Sequence, residues 1–193
     1  FIVMSYVPGR DGRTWLNDTN VTLEQIKAVA VQLCDALAYA HEHKVLHRDL
    51  KLSNFLVGEN EEVMLIDFGL AKAASDEMLT RGRTLGTYSY LAPEYVAAAK
   101  TKQAEHTVLT DLWALGCTLY NLTCRKPAFA DDNNDIKMLT LIEAGSFPAV
   151  KSLKPEVPDA WAALIHDLMQ PDPSKRIQTA REALERLESV ALS

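Results

Sequence analysis

Four polar residues stand where apolar segments break. Asp49, Lys51 and Asn54 lie in His47-Arg48-Asp49-Leu50-Lys51-Leu52-Ser53-Asn54, and Asp67 opens Asp67-Phe68-Gly69. Two carboxylates and an amide oxygen are hard donors, suited to magnesium that holds phosphate oxygens. A lysine beside them can neutralise charge on a phosphoryl group in transfer. These residue types suit a cation site that handles a transferring phosphoryl group.

The elements that must position them follow from periodicity. Thr22 with Gln25 makes a capping-box pattern, and Leu23, Ile26, Val29, Ala30, Leu33, Leu37 and Ala40 recur at helical spacing behind it. A long amphipathic helix is expected from Thr22 to His43. Two apolar strands, Asn54–Val57 and Val63–Ile66, are joined by Gly58-Glu59-Asn60 into a hairpin that leads to Asp67. Upstream, Phe1–Met4 reads as a buried strand stopping at Pro8-Gly9, followed by a short helix near Asp11–Leu16. Gly69–Tyr90 has no sustained period and reads as a long functional loop. Further helices are expected at Asp111–Cys124, Ile136–Ala144 (ended by Gly145), Trp161–Met169 (stopped by Pro171) and Gln178–Val190. The fold class is α+β, predominantly helical, with short β-hairpins.

Composition narrows the function. The 193 residues are 48% hydrophobic and 24% charged, ordinary for one globular domain. A net charge of -6 argues against general affinity for nucleic acid or anionic membrane. Cys34, Cys117 and Cys124 lack metal-ligand spacing and sit in apolar helical patterns, so buried thiols in a reduced, cytoplasmic setting are expected. Leu109–Cys124 is the most apolar stretch, but Asp111 and Asn121 mark it as a core helix, not a membrane span.

The loop at 47–54 and Asp67-Phe68-Gly69 resemble the catalytic and metal loops of the protein kinase family. Small-molecule phosphotransferases share a similar Asp, Asn and Asp arrangement. Later motifs separate the two: Gly86-Thr87 with Ala92-Pro93-Glu94, Asp111-Leu112-Trp113-Ala114-Leu115-Gly116, and Asp172-Pro173 followed by Arg176. The whole is similar to the hinge and C-terminal lobe of a eukaryotic-type serine/threonine protein kinase. The resemblance implies ATP, with magnesium or manganese, and a protein substrate bearing a serine or threonine hydroxyl.

By that resemblance Asp49 is the catalytic base, Lys51 contacts the γ-phosphate, Asn54 and Asp67 hold magnesium, and Phe68 packs on His47. Met4 would sit behind the adenine, Ser5 and Val7 would offer hinge backbone groups, Asp11 would bind ribose or a basic substrate side chain, and Leu56 would floor the adenine. Lys51 two positions after Asp49, and Thr87, argue for serine and threonine over tyrosine. Ser53 stands where strongly basophilic members carry an acid. Thr80 and Thr84 are the candidate phosphorylation sites, facing Arg48. Arg176 is expected to pair with Glu94, and Asp111 to accept backbone amides of the catalytic loop.

Residues 1–10 are expected to be the last N-lobe strand and the hinge, and 11–193 the C-lobe. The glycine-rich loop and strand lysine of the family lie nowhere in these 193 residues. The expectation is a truncated N-terminus and weak or no activity of the fragment alone. A scaffolding pseudokinase and a small-molecule phosphotransferase are the rival readings. The stretch Ala97–Leu109, with Lys100, Lys102, Gln103, Glu105 and His106, reads as a solvated surface insertion, and His41, His43, His106 and His166 as structural or solvent-facing.

Overall fold

The computed structural model describes residues 7–68, 88–99, 105–130 and 134–192. Its centre is α4, Val108–Cys124, in which every residue from Thr110 to Cys124 is buried. A helix apolar on all sides can be stable only inside a core. It starts three residues before Asp111, because Thr107 caps it: Thr107 Oγ1 accepts the Thr110 N–H, and Thr110 Oγ1 accepts that of Thr107.

The other helices turn one apolar face toward this rod. α2, Leu23–Glu42, carries the predicted capping box and buries Ile26, Val29, Ala30, Leu33, Cys34, Leu37, Ala38 and Ala40. It packs on α4 and on α8, Ala180–Glu188. α7, Asp159–Leu168, crosses α4 at Gly116, where a Cβ would come within 2.6 Å of Met169 Cγ and 2.9 Å of Leu168 Cβ. The glycine of the Asp111–Gly116 motif therefore lets two helices approach closely. α5, Asp135–Ala144, ends at Gly145, whose φ of 59° supplies the left-handed cap. Trp113 and Phe129 stack with centroids 5.8 Å apart, and Phe129 meets Phe147 edge-on at 5.6 Å.

A three-stranded antiparallel sheet lies at one end, in the order β1 (Arg10–Asp11), β2 (Phe55–Val57), β3 (Val63–Leu65). Phe55 and Val57 point into the core, and Leu56 to the opposite, half-open face. β1 leads into α1, Gly12–Leu16, capped by Asp11. The sequence reading did not anticipate β1, α3 (Pro93–Ala99) or α6 (Val150–Leu153). Phe1–Met4 and most of the 69–90 loop lie outside the described residues. Among the described residues no helix is long and apolar enough to cross a membrane.

The cysteines are buried as expected. Burial pushes the Cys34 thiol up to about 12 and raises that of Cys117 as well. Both should resist iodoacetamide at neutral pH in the folded protein and react fully in denaturant; intact mass spectrometry reads this, and alkylation of native Cys34 would contradict the packing.

Candidate active site

The site is held from below by one carboxylate. Asp111, 1% exposed in the first turn of α4, accepts the His47 N–H on Oδ2 and the Arg48 N–H on Oδ1, each at 2.8 Å. Oδ2 also meets His41 Nε2, at the end of α2, at 2.9 Å. A buried carboxylate requires such partners. These bonds hold the loop in a shape its residues would not choose. Arg48 lies at φ 69°, a left-handed conformation that is costly for a side chain bearing a Cβ.

The loop then closes on Asp49. Lys51 Nζ donates to Asp49 Oδ2 at 2.7 Å. Asn54 Nδ2 donates to the same oxygen at 2.9 Å and to the Asp49 carbonyl at 2.8 Å. One carboxylate oxygen thus carries a cation and an amide, whereas Oδ1 has no hydrogen bond among the described residues. The Asp49 side chain is 28% exposed, so it opens to the surface.

Asp67 arrives through the hairpin. Phe55 pairs with Leu65, and the Ile66 N–H donates to the Asn54 carbonyl at 3.0 Å. Asp67 is thereby set beside Asn54, in a left-handed backbone conformation with φ 63°. Asn54 Nδ2 is committed to Asp49, so its Oδ1 faces away from that bond, where among the described residues it accepts only Ser53 Oγ, at 3.1 Å. An amide oxygen and a carboxylate, both hard donors, fit a magnesium ion. Phe68 packs on His47 with centroids 4.7 Å apart.

Of the nucleotide-edge residues, Met4 and Ser5 lie outside the described residues, and so do Thr80, Thr84 and Thr87. Val7 is half-buried at their margin. Asp11 and Leu56 are cross-strand partners. The Asp11 carboxylate caps α1, with Oδ1 accepting from Arg13 N and Thr14 N and Oδ2 from Thr14 Oγ1. Burial works against its charge, but those bonds prevail and hold its carboxyl below the ordinary range.

Farther back, Arg176 forms the bidentate pair with Glu94 at 2.8 and 3.0 Å and donates to the Leu109 and Gln170 carbonyls. Its guanidinium lies 5.1 Å from the Trp113 ring. One expectation needs correction. His106 is not part of a solvated insertion but fits the structural reading: its ring packs at a tilt on Tyr95 with centroids 4.4 Å apart, and its Nε2 is buried with no partner among the described residues. An apolar neighbour from α3, distant in sequence, outweighs the polar residues on either side of it.

His47 and His106 share a titration consequence. Burial lowers both pKa values from 6.5, against the opposing pull of Asp111. The unfolded chain therefore binds more protons than the folded one as pH falls below about 6.5, and stability falls with it. The melting temperature should drop from about pH 7 to about pH 5.5, with a shallower slope in His106→Phe, which keeps a ring on Tyr95. Identical slopes in the two proteins would contradict this.

The protein kinase domain model matches residues 1–187. The chain belongs to the protein kinase family. This kinase chain is 32% identical to the serine/threonine-protein kinase cds1 of Schizosaccharomyces pombe, over 96% of its own length and 40% of that protein. It is 34% identical to the serine/threonine-protein kinase Nek3 of Oryza sativa subsp. japonica, over 93% of the chain and 29% of that protein. It is 31% identical to the probable serine/threonine-protein kinase PknB of Lactococcus lactis, over 95% of the chain and 29% of that protein. The kinase chain thus spans well under half the length of these curated relatives.

Proposed function

We propose that the protein bearing this chain is a serine/threonine protein kinase, transferring the γ-phosphoryl group of ATP to a serine or threonine hydroxyl of a protein. The observation that carries this is the Asp49 carboxylate. Lys51 and Asn54 both hold Oδ2, and among the described residues Oδ1 is left to accept a hydroxyl proton. A base fixed through one oxygen keeps the other aimed without reorganising during the reaction.

The remaining roles follow from chemistry and position. Lys51 sets a cation where the transferred group passes and reaches its oxygens. Asn54 and Asp67 hold magnesium, or manganese, which when bound neutralises charge on the ATP phosphates. Leu56 would offer an apolar surface to the adenine, with Met4 behind it and Ser5 and Val7 giving hinge backbone groups; Asp11, while capping α1, would meet the ribose or a basic substrate side chain through its remaining lone pairs. Phe68 on His47 keeps the metal-holding segment against the catalytic loop. Residues 1–10 would be the last N-lobe strand and the hinge, and 11–193 the C-lobe. A phosphate on Thr80 or Thr84 would pair with Arg48. Reduced, buried thiols accord with work in the cytoplasm.

The test is transfer from γ-labelled ATP by the protein in its natural length, with magnesium and a general protein acceptor. Label on serine and threonine is expected. Label confined to tyrosine, or to a small molecule, would overturn the reading.

A further inference from the structure

A second cavity, of about 250 Å³, lies beside the catalytic loop. Its lining includes Arg13 from α1, Leu52 from the loop, Tyr90, Asn121 from α4, and Arg125 and Lys126 just beyond α4. Tyr90 also lines the smaller pocket that contains Asp49. One side chain therefore separates the two, and Leu52 is three residues on from Asp49 in the same loop. An extended peptide advances about 3.3 Å per residue. A substrate with its hydroxyl at Asp49 would lay a neighbouring side chain, a few residues away, over this cavity.

Its charge is one-sided. Among the described residues three cations line it and no carboxylate does. Arg125 is anchored: its guanidinium donates to the Leu16 and Asp18 carbonyls at 2.7 and 3.2 Å and to the Val21 carbonyl at 2.9 Å. Carbonyls fix its position without cancelling its charge. Arg13 feels the Asp11 carboxylate, but that group is committed to the start of α1. Lys126 is exposed, and neither it nor Arg13 forms an ion pair among the described residues. Asn121 donates to the Tyr90 hydroxyl at 3.0 Å and leaves a polar, uncharged floor.

We propose that this cavity is a substrate-specificity site that selects an anionic side chain, carboxylate or phosphate, within a few residues of the acceptor hydroxyl. It rests on the kinase reading above and names a substrate class for it. Ser53, on the same loop, adds no negative charge that would favour a basic substrate. Arg13 and Lys126 supply the attraction, and Arg125 holds the wall between α1 and the end of α4. The contribution is to binding, so it belongs in KM and not in kcat.

The experiment uses the natural-length protein and matched peptides with one acceptor serine, differing only in neutral, glutamate, lysine or phosphoserine flanks. The glutamate or phosphoserine peptide should have a KM about three- to tenfold below the lysine peptide, as expected for one or two exposed charge pairs. The advantage should shrink with added salt. The double variant Arg13→Glu/Lys126→Glu should erase or reverse it at unchanged kcat, and Lys126→Gln alone should halve it or more. A gain with phosphoserine but not glutamate assigns the anion to prior phosphorylation. Preference for the lysine peptide, or the same KM ratio in the double variant, overturns the inference while the kinase reading stands. Failure to phosphorylate any of the peptides or a general protein acceptor overturns both.

Discussion

Replacing Asp49 with asparagine should lower phosphoryl transfer by the natural-length protein about a hundred- to ten-thousand-fold and leave its melting temperature nearly unchanged. The amide keeps the shape and can still accept from Lys51 or Asn54 through its oxygen. It cannot take the proton of the incoming hydroxyl. The loss should therefore appear in kcat, with ATP binding retained, because Asn54 and Asp67 are untouched. A variant that keeps more than about a tenth of the rate would show that Asp49 orients the hydroxyl without acting as its base. A variant that loses rate and fold together would point to a structural role, and the lack of any hydrogen bond to Oδ1 among the described residues argues against that.

Arg176→Ala should cost about 3 kcal/mol of stability, toward the low end for breaking a buried pair, because Glu94 keeps 29% of its side-chain exposure. The guanidinium itself has none. Its removal leaves the Leu109 and Gln170 carbonyls without their donor and opens a void against Trp113. For a chain of this size that is roughly 6–12 °C in melting temperature, readable by calorimetry. Arg176→Lys should recover only part of it, since an ammonium cannot make the two-pronged bond to Glu94. An unchanged melting temperature in Arg176→Ala would mean that the Glu94 staple contributes nothing net.

Much of this was legible from residue types alone. The chemistry proposed for Asp49, Lys51, Asn54 and Asp67 was suggested by their types, and a carboxylate in as apolar a helix as α4 has to find donors, so the Asp111 bonds to His47 and Arg48 could be anticipated. α2 declares itself because polar and apolar residues recur along it with the helical period, and α4 because it is apolar nearly throughout its length. The misses share a cause. α3 runs into Val96-Ala97-Ala98-Ala99, which has too little contrast to show a face. β1 is two residues long and exists because β2 offers it a ladder. α4 starts early because Thr107 and Thr110 cap each other, a pair without the acidic or amide residue that usually marks a capping box. His106 sits among polar neighbours in sequence but against Tyr95 in space. The cationic cavity is built from α1, the catalytic loop and the end of α4, which no local pattern connects.

The Asp111 bonds also set an order of events during synthesis. Asp49, the proposed base, is made early, but the carboxylate that shapes its loop follows 64 residues after His47, and Arg176 comes 82 residues after Glu94. A ribosome adding about 5–20 residues per second leaves the loop without its anchor for several seconds. Until α4 emerges, Arg48 has nothing to hold it in its left-handed turn, and the nascent chain carries the catalytic residues in unassembled form. Such distant closures make for slow folding. They also mean that the growing polypeptide gains its aimed base only once the helix meant to bury beneath it has been translated.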